Sequence, residues 1–423
     1  MPRAWVRTSR GYACVLACRF CRTRNAVRVS LSTREAVRTV DGGSWSRWKQ
    51  AEAAYTVGVE EEVMLLEAAE LSLAERSDAV ISLLSPELRE HTSRETHAGV
   101  LELATGVHRN VAGAVSELAD LRRGLASELQ EAATLAACAG THPLQSSGHT
   151  RVSSAPRYRL IGDTMRFLAL REPTMALHVH VAVPDPDDAV RVLRRLREKL
   201  PLLVALSANS PYCRGTDSGF ASARTMIFNG FPRTGPPRAF RDYREYVEAI
   251  DALIVSGAIP DPTFLWWDVR LQPRLGTVEV RALDAQSTIA EVAPLAALVQ
   301  SLARLELEDP TGQRPVSDEV LAENRFIAAR DGLDARLIDT ATRQLTSARA
   351  LLRELIEDCR PHAAALGCLG ELEQADRLVA ANGALRQRTW VLAGRDLRSL
   401  VDRLSQRFNA PSERFPTSAP VGA

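Results

Sequence analysis

The sequence has no G-x-x-x-x-G-K-[ST] and no G-x-G-x-x-G, so neither common glycine-rich phosphate loop is available to cradle a nucleotide. It has no apolar run of the eighteen or so residues that a membrane helix needs, and no membrane partner is expected. It has no excess of charge: 53 basic and 52 acidic residues leave a net charge of +1. A nucleic-acid binder relying on bulk charge is therefore excluded. Its seven cysteines, an odd number in 423 residues, do not form a disulfide framework. A reducing, cytoplasmic setting is the expectation. Any nucleotide must then be positioned by acidic side chains and cations.

Acids are also scarce in residues 1–52, which are strongly basic and show no sustained periodicity. This segment holds Cys14, Cys18 and Cys21 in a C-x3-C-x2-C spacing with Phe20 before the last cysteine. That spacing looks like the iron–sulfur signature of radical enzymes. The run of βα units such a fold needs does not follow, and no apolar core marks a secretory signal. Residues 1–52 are expected to be a disordered extension, residues 53–408 a single domain, and residues 409–423, with three prolines, a disordered tail.

What is present is alternation. Gly58-Val59-Glu60-Glu61-Glu62-Val63-Met64, Leu177-His178-Val179-His180-Val181 and Thr277-Val278-Glu279-Val280-Arg281 each place charged or imidazole groups on every second residue. In a strand, residues i and i+2 share a face. Glu60 and Glu62 therefore point one way, as do His178 and His180, and Glu279 and Arg281. Such a face is costly unless something compensates it, and carboxylate oxygens suit magnesium or manganese. Each pattern alone has a plain reading: a solvated sheet face, core histidines, a cross-strand ion pair. Three repeats of one alternation are harder to explain that way. Glu95 and Glu102, seven apart, would share one face of a helix.

Elsewhere, residues 54–73 read as a β-hairpin and 111–138 as one long amphipathic helix. Residues 144–157 read as a loop, and 174–183, 264–270 and 277–283 as strands. From residue 289 the pattern is almost wholly helical, including 333–358. The order gives an α+β fold, an antiparallel sheet with one acidic catalytic face, covered by helices.

Several motifs then recur in order: Thr56-Val57-Gly58-Val59-Glu60-Glu61-Glu62, Leu101-Glu102-Leu103-Ala104-Thr105-Gly106-Val107, Gly140-Thr141-His142-Pro143, His178-Val179-His180-Val181, Leu206-Ser207-Ala208-Asn209-Ser210-Pro211, Trp266-Trp267-Asp268-Val269-Arg270 and Thr277-Val278-Glu279-Val280-Arg281. With Glu323-Asn324-Arg325, Ala329-Arg330-Asp331-Gly332 and Gln387-Arg388, they resemble the carboxylate–amine ligases known as type 2 glutamate–cysteine ligases. The likeness spans residues 54–408.

That resemblance implies a catalytic sheet like that of glutamine synthetase and guanidino kinases. It implies ATP and Mg2+ or Mn2+ as cofactors, and glutamate (or a similar carboxylate) and an amine such as cysteine as substrates. A homodimer is among the assemblies it allows. By match to the motifs, Glu60, Glu62, Glu95, Glu102, His178 and Glu279 would hold metal. Glu279 and Arg281 would be catalytic, and Arg224, Arg270 and His180 would contact nucleotide or substrate. Cys213, Ser218 and Leu271 depart from the family pattern near the substrate loop, which leaves the amine open. The alternatives are another ligase or a guanidino phosphotransferase on the same sheet, or a non-catalytic descendant that only binds ligand.

Overall fold

The computed structural model describes residues 43–145, 150–308, 316–340, 342–408 and 410. The cysteines at 14, 18 and 21 and the 411–423 tail lie outside them. Seven strands form the principal antiparallel sheet: β1 (Val57–Glu67), β2 (Thr92–Arg94), β3 (Val100–Ala104), β4 (Thr134–Ala137), β5 (Ala176–Ala182), β6 (Val269–Gln272) and β7 (Thr277–Asp284). Their order is β6-β7-β5-β1-β3-β2, with β4 paired to the far end of β1.

One face of this sheet is buried under helices. α1 (Val111–Leu129), α2 (Pro186–Ser207) and α3 (Ile289–Glu308) pack on it, with α4 (Asp318–Asp331) and α5 (Ala348–Leu366) against α2 and α3. The starts of the helices are written locally. Asn110 Oδ1 accepts from Gly113 N at 3.1 Å to cap α1, and Asp185 Oδ1 accepts from Asp187 N and Asp188 N at 2.9 and 3.0 Å, with Pro186 opening α2. Val59, Val63, Leu177, Val179, Val181, Val278 and Val280 are all buried beneath this layer.

The opposite face carries the polar residues. Register sets them in rows: Arg270 opposite Glu279, Glu279 opposite His180, Glu60 opposite His178, and Glu62 opposite Glu102. β7 is irregular between Val280 and Leu283, and Arg281 contacts Glu279 and His178.

The observed elements correct several expectations. Residues 111–138 are a helix, a 3-10 turn and a strand, because Ala133 takes a left-handed conformation (φ 48°) and turns the chain back to pair with β1. Glu95 and Glu102 do not share a helix. Glu95 follows β2 directly and Glu102 lies on β3, so the spacing of seven is that of an antiparallel hairpin. Arg336–Asp339 pairs antiparallel with Gln344–Ser347 before α5 begins. The loop expected over 144–157 ends early, because Pro156 opens a helix, Pro156–Met165. The packed chain also starts before residue 53: Trp45 is buried and the Trp48 indole donates to Val183 O at 3.0 Å. Two large apolar rings outweigh the basic composition around them.

Candidate active site

Three overlapping triads occupy the polar face: Glu60, His180 and Glu279; Glu60, Glu102 and His178; Glu62, Glu95 and Glu102. In each, one ligand atom per residue lies within 4.8 Å of the others. All seven side chains come from β1, β3, β5, β7 and the residue after β2, so the sheet itself fixes their spacing. The hairpin β2–β3 supplies Glu95 and Glu102, and Ser93 donates to Glu102 Oε1 at 3.1 Å.

The electrostatics divide the acids into two groups. On the β7 side they are held ionised. Burial opposes charge on Glu279, but Arg270 and then Arg281 hold its carboxyl well below the usual range. Arg270 contributes a two-pronged contact at 2.7 and 3.2 Å, Gln272 donates at 2.7 Å, and Arg281 completes the clasp. Burial likewise opposes Glu60, and the His180 and His178 imidazoles more than offset it. On the β3 side Arg224, Arg281 and Arg157 lower the acids less than burial raises them. Burial first, then the Glu95 carboxylate, raises Glu62 from 4.5 to about 7. Burial raises Glu95, and burial with Glu60, Glu95 and Glu62 raises Glu102 well above its ordinary value.

The histidines differ too. Burial and the Arg281 cation push His178 down to about 4, which keeps it neutral. Burial disfavours charge on His180, but Glu60 and Glu279 raise it. The Nε2 atoms of both rings are buried with no hydrogen-bond partner. Glu60 Oε1 does lie 3.3 Å from His180 Nε2, but off the direction a hydrogen bond requires. Orphaned imidazole nitrogens beside clustered carboxylates, several unmatched by any arginine, are a donor set that fits hard divalent cations.

Two cavities meet at this centre, sharing Glu60, His180 and Leu275. The smaller, about 360 Å3, is lined by the acids together with Arg157, Arg224, Arg270 and Arg281. The larger, about 680 Å3, is lined by residues 49–53, 56–60 and 105–109 with His180, Ala182, Leu275 and Thr277, and its surface is more apolar than polar. Of the sequence candidates for binding, Arg224 is buried at the smaller cavity, and its Nη atoms donate to Ala282 O and Arg281 O, leaving Nε without a partner. Arg270 also reaches this cavity, but its donors are engaged by Glu279, Leu265 O and Thr263 O. Trp266 is half-buried in the cavity wall beside Phe231.

The match to known sequences covers this whole face: residues 56–402 fit glutamate-cysteine ligase family 2. The chain belongs to that family. Among its relatives is a Rubrobacter xylanophilus protein provisionally named glutamate–cysteine ligase 2-1, 40% identical over 343 residues, covering 81% of this chain and 91% of that one. A Gloeobacter violaceus protein, provisionally named glutamate–cysteine ligase 2, is 34% identical over 358 residues, with 83% and 96% covered. In fold the chain is similar to a glutamate–cysteine ligase of Francisella tularensis solved with AMP, at TM-score 0.60, 13% identity and coverage of 86% and 90%. It is also similar to a bifunctional glutathione synthetase of Pasteurella multocida, at TM-score 0.62 and 14% identity, covering 84% of this chain and 52% of that longer one. Among the described residues no helix is long and apolar enough to cross a membrane.

Two parts of this family site escaped the sequence reading. Glu61 points to the helix layer, where Arg122 of α1 meets it at 2.7 and 2.5 Å and also donates to Gln286 O at 2.9 Å. An arginine within the apolar stripe Val115, Leu118, Leu121 and Leu125 was the available signal. Asp284, at the end of β7, accepts from Asn209 N, Ser210 Oγ and Ser222 Oγ at 2.7–2.8 Å and lies 4.0 Å from Arg224. It anchors the chain leading to Arg224.

Proposed function

We propose that this protein joins the γ-carboxylate of glutamate to the amine of cysteine with cleavage of ATP, giving γ-glutamylcysteine, ADP and phosphate. The observation that supports it is the meeting of an arginine-lined cavity and a larger, more apolar one at Glu60 and His180. The larger suits a nucleoside; the smaller suits an anionic amino acid. Glu60, Glu62, Glu95, Glu102, His178, His180 and Glu279 would hold Mg2+ or Mn2+. When bound, those ions neutralise phosphate oxygens.

The chain's own residues do the rest. Arg224, with Nε free, holds the substrate carboxylate. Arg270 pairs with Glu279 and so orients it. Arg281, clasped to Glu279, presents its remaining donors to the phosphoryl group as it passes to the carboxylate. The carboxylate oxygen attacks the γ-phosphorus and ADP leaves; the amine then attacks the acyl carbon, and phosphate departs with that oxygen.

The test is turnover with glutamate carrying heavy carboxylate oxygen. Transfer of label into released phosphate is the expected result, and its absence in a competent reaction would refute acyl phosphate chemistry. A second reading keeps the chemistry and changes the amine. Tyr158, Phe228, Phe231 and Trp266 give the smaller cavity a half-buried aromatic wall, larger than a thiol requires. ADP release across a panel of amines separates the two.

A further inference from the structure

One wall of the larger cavity comes from outside the family's matched span. The family match begins at residue 56, yet Lys49, Gln50, Ala51, Glu52 and Ala53 line the cavity. Residues 44–53 cross the ends of β5, β6 and β7 and are tied down repeatedly. Trp45 is buried, with its indole nitrogen 3.4 Å from Asp251 Oδ1. Trp48 donates to Val183 O and meets Tyr243 edge-on at 5.6 Å, and the Tyr243 hydroxyl donates to Ser46 O at 2.6 Å. Lys49 N donates to Pro273 O at 2.8 Å. The β6–β7 turn is shaped to receive the segment: at Gly276 (φ 70°), an added Cβ would lie 2.1 Å from Lys49 O.

Two cations, Lys49 and Arg109, and two carboxylates, Glu52 and Glu60, line this mouth. Lys49 and Arg109 both line the cavity, both side chains are exposed, and neither has a carboxylate within ion-pair distance among the described residues. An anchored backbone carrying an uncommitted cation over a cavity fits an anionic ligand beneath it.

We propose that residues 44–53 are a nucleotide-binding strap, closing the larger cavity over ATP with Lys49 as a cation facing the bound nucleotide. This rests on the ligase reading above, which puts the nucleotide in that cavity. The strap contributes affinity for nucleotide and none for glutamate, which occupies the other cavity.

The test uses the full chain and MgADP as the probe. Trypsin cleavage of the Lys49–Gln50 bond, followed by mass spectrometry, should slow severalfold in saturating MgADP and not in glutamate. Trp48→Ala, which loosens the strap without touching the cavity, should raise the Kd for MgADP about tenfold, equivalent to about 1.4 kcal/mol. Lys49→Glu should raise it severalfold, with the KM for glutamate unchanged. Lys49 is exposed, so that variant keeps the fold and carries the test if Trp48→Ala unfolds. Wild-type Kd values in the folded variants, or cleavage indifferent to MgADP in a chain that binds it, would overturn the strap. A wild-type chain that binds no MgADP would instead overturn the ligase reading, and the strap with it.

Discussion

Removing the proton from Glu62 should cost the metal-free protein stability, and a divalent cation should restore it. The carboxyl is 8% exposed and raised from 4.5 to about 7 by burial and by Glu95. A folded-state pKa above the unfolded one means the native protein keeps its proton longer. Its stabilising contribution is therefore complete below pH 4.5 and lost as pH rises through 7. A difference of about 2.5 units corresponds to about 3 kcal/mol. An unfolding entropy of roughly 0.8 kcal/mol/K for a chain this long turns that into a fall of about 4 °C in Tm.

His178 works in the opposite direction. Lowered from 6.5 to about 4 by burial and Arg281, it adds stability as pH rises across that interval. His97 and His142, each buried and lowered to about 4, act the same way. A single melting curve mixes these terms, so the informative quantity is the difference between wild type and Glu62→Gln, measured by calorimetry at pH 5 and pH 8. Between those pH values the wild type should lose about 3 °C relative to the variant, because at pH 5 the unfolded carboxyl is already mostly ionised. Mn2+ should raise the wild-type Tm at pH 8 and hardly at pH 5, where protons already occupy the site. Parallel melting temperatures in the two proteins, or a cation effect of equal size at both pH values, would refute the reasoning.

Three further outcomes are expected. Glu60→Gln and Glu279→Gln should each lower turnover at least about a hundredfold in an ADP-release assay, the scale of losing preorganised charge at a reacting phosphoryl group. Arg281→Lys keeps the charge but loses the planar fork, and steady-state kinetics should show kcat depressed more than the KM for ATP is raised. Arg122→Met should lower stability by about 3–5 kcal/mol in denaturant melts, because Glu61 is left charged and buried without its cation.

The alternation in β1, β5 and β7 was legible because the strand period is local: Glu60 with Glu62, His178 with His180, and Glu279 with Arg281 do share the polar face. Which row faces which was not legible. That Glu60 sits opposite His178, and Glu279 opposite His180, depends on pairings more than ninety residues apart along the chain. Glu95 and Glu102 show how spacing alone misleads, since seven residues fit two helical turns or a short hairpin equally well. The end of α1 was missed because nothing in Gln130-Glu131-Ala132-Ala133 breaks a helix by composition; tertiary pairing of 134–137 with β1 overrides propensity there. Buried Trp45 and half-buried Trp48 were overlooked for the converse reason: two residues in a basic segment have no periodicity to register.

The three consecutive glutamates of β1 serve two masters. Sliding β1 by one residue against its neighbours would send Glu60 and Glu62 into the helix layer and leave Glu61 alone on the polar face. Only one acid on that hidden side finds Arg122, so the slipped chain would bury two carboxylates with one guanidinium between them. The middle glutamate thus acts as a keyed pin for assembly. It faces away from the acidic face, yet a one-residue slip of β1 would leave that strand's charges unbalanced.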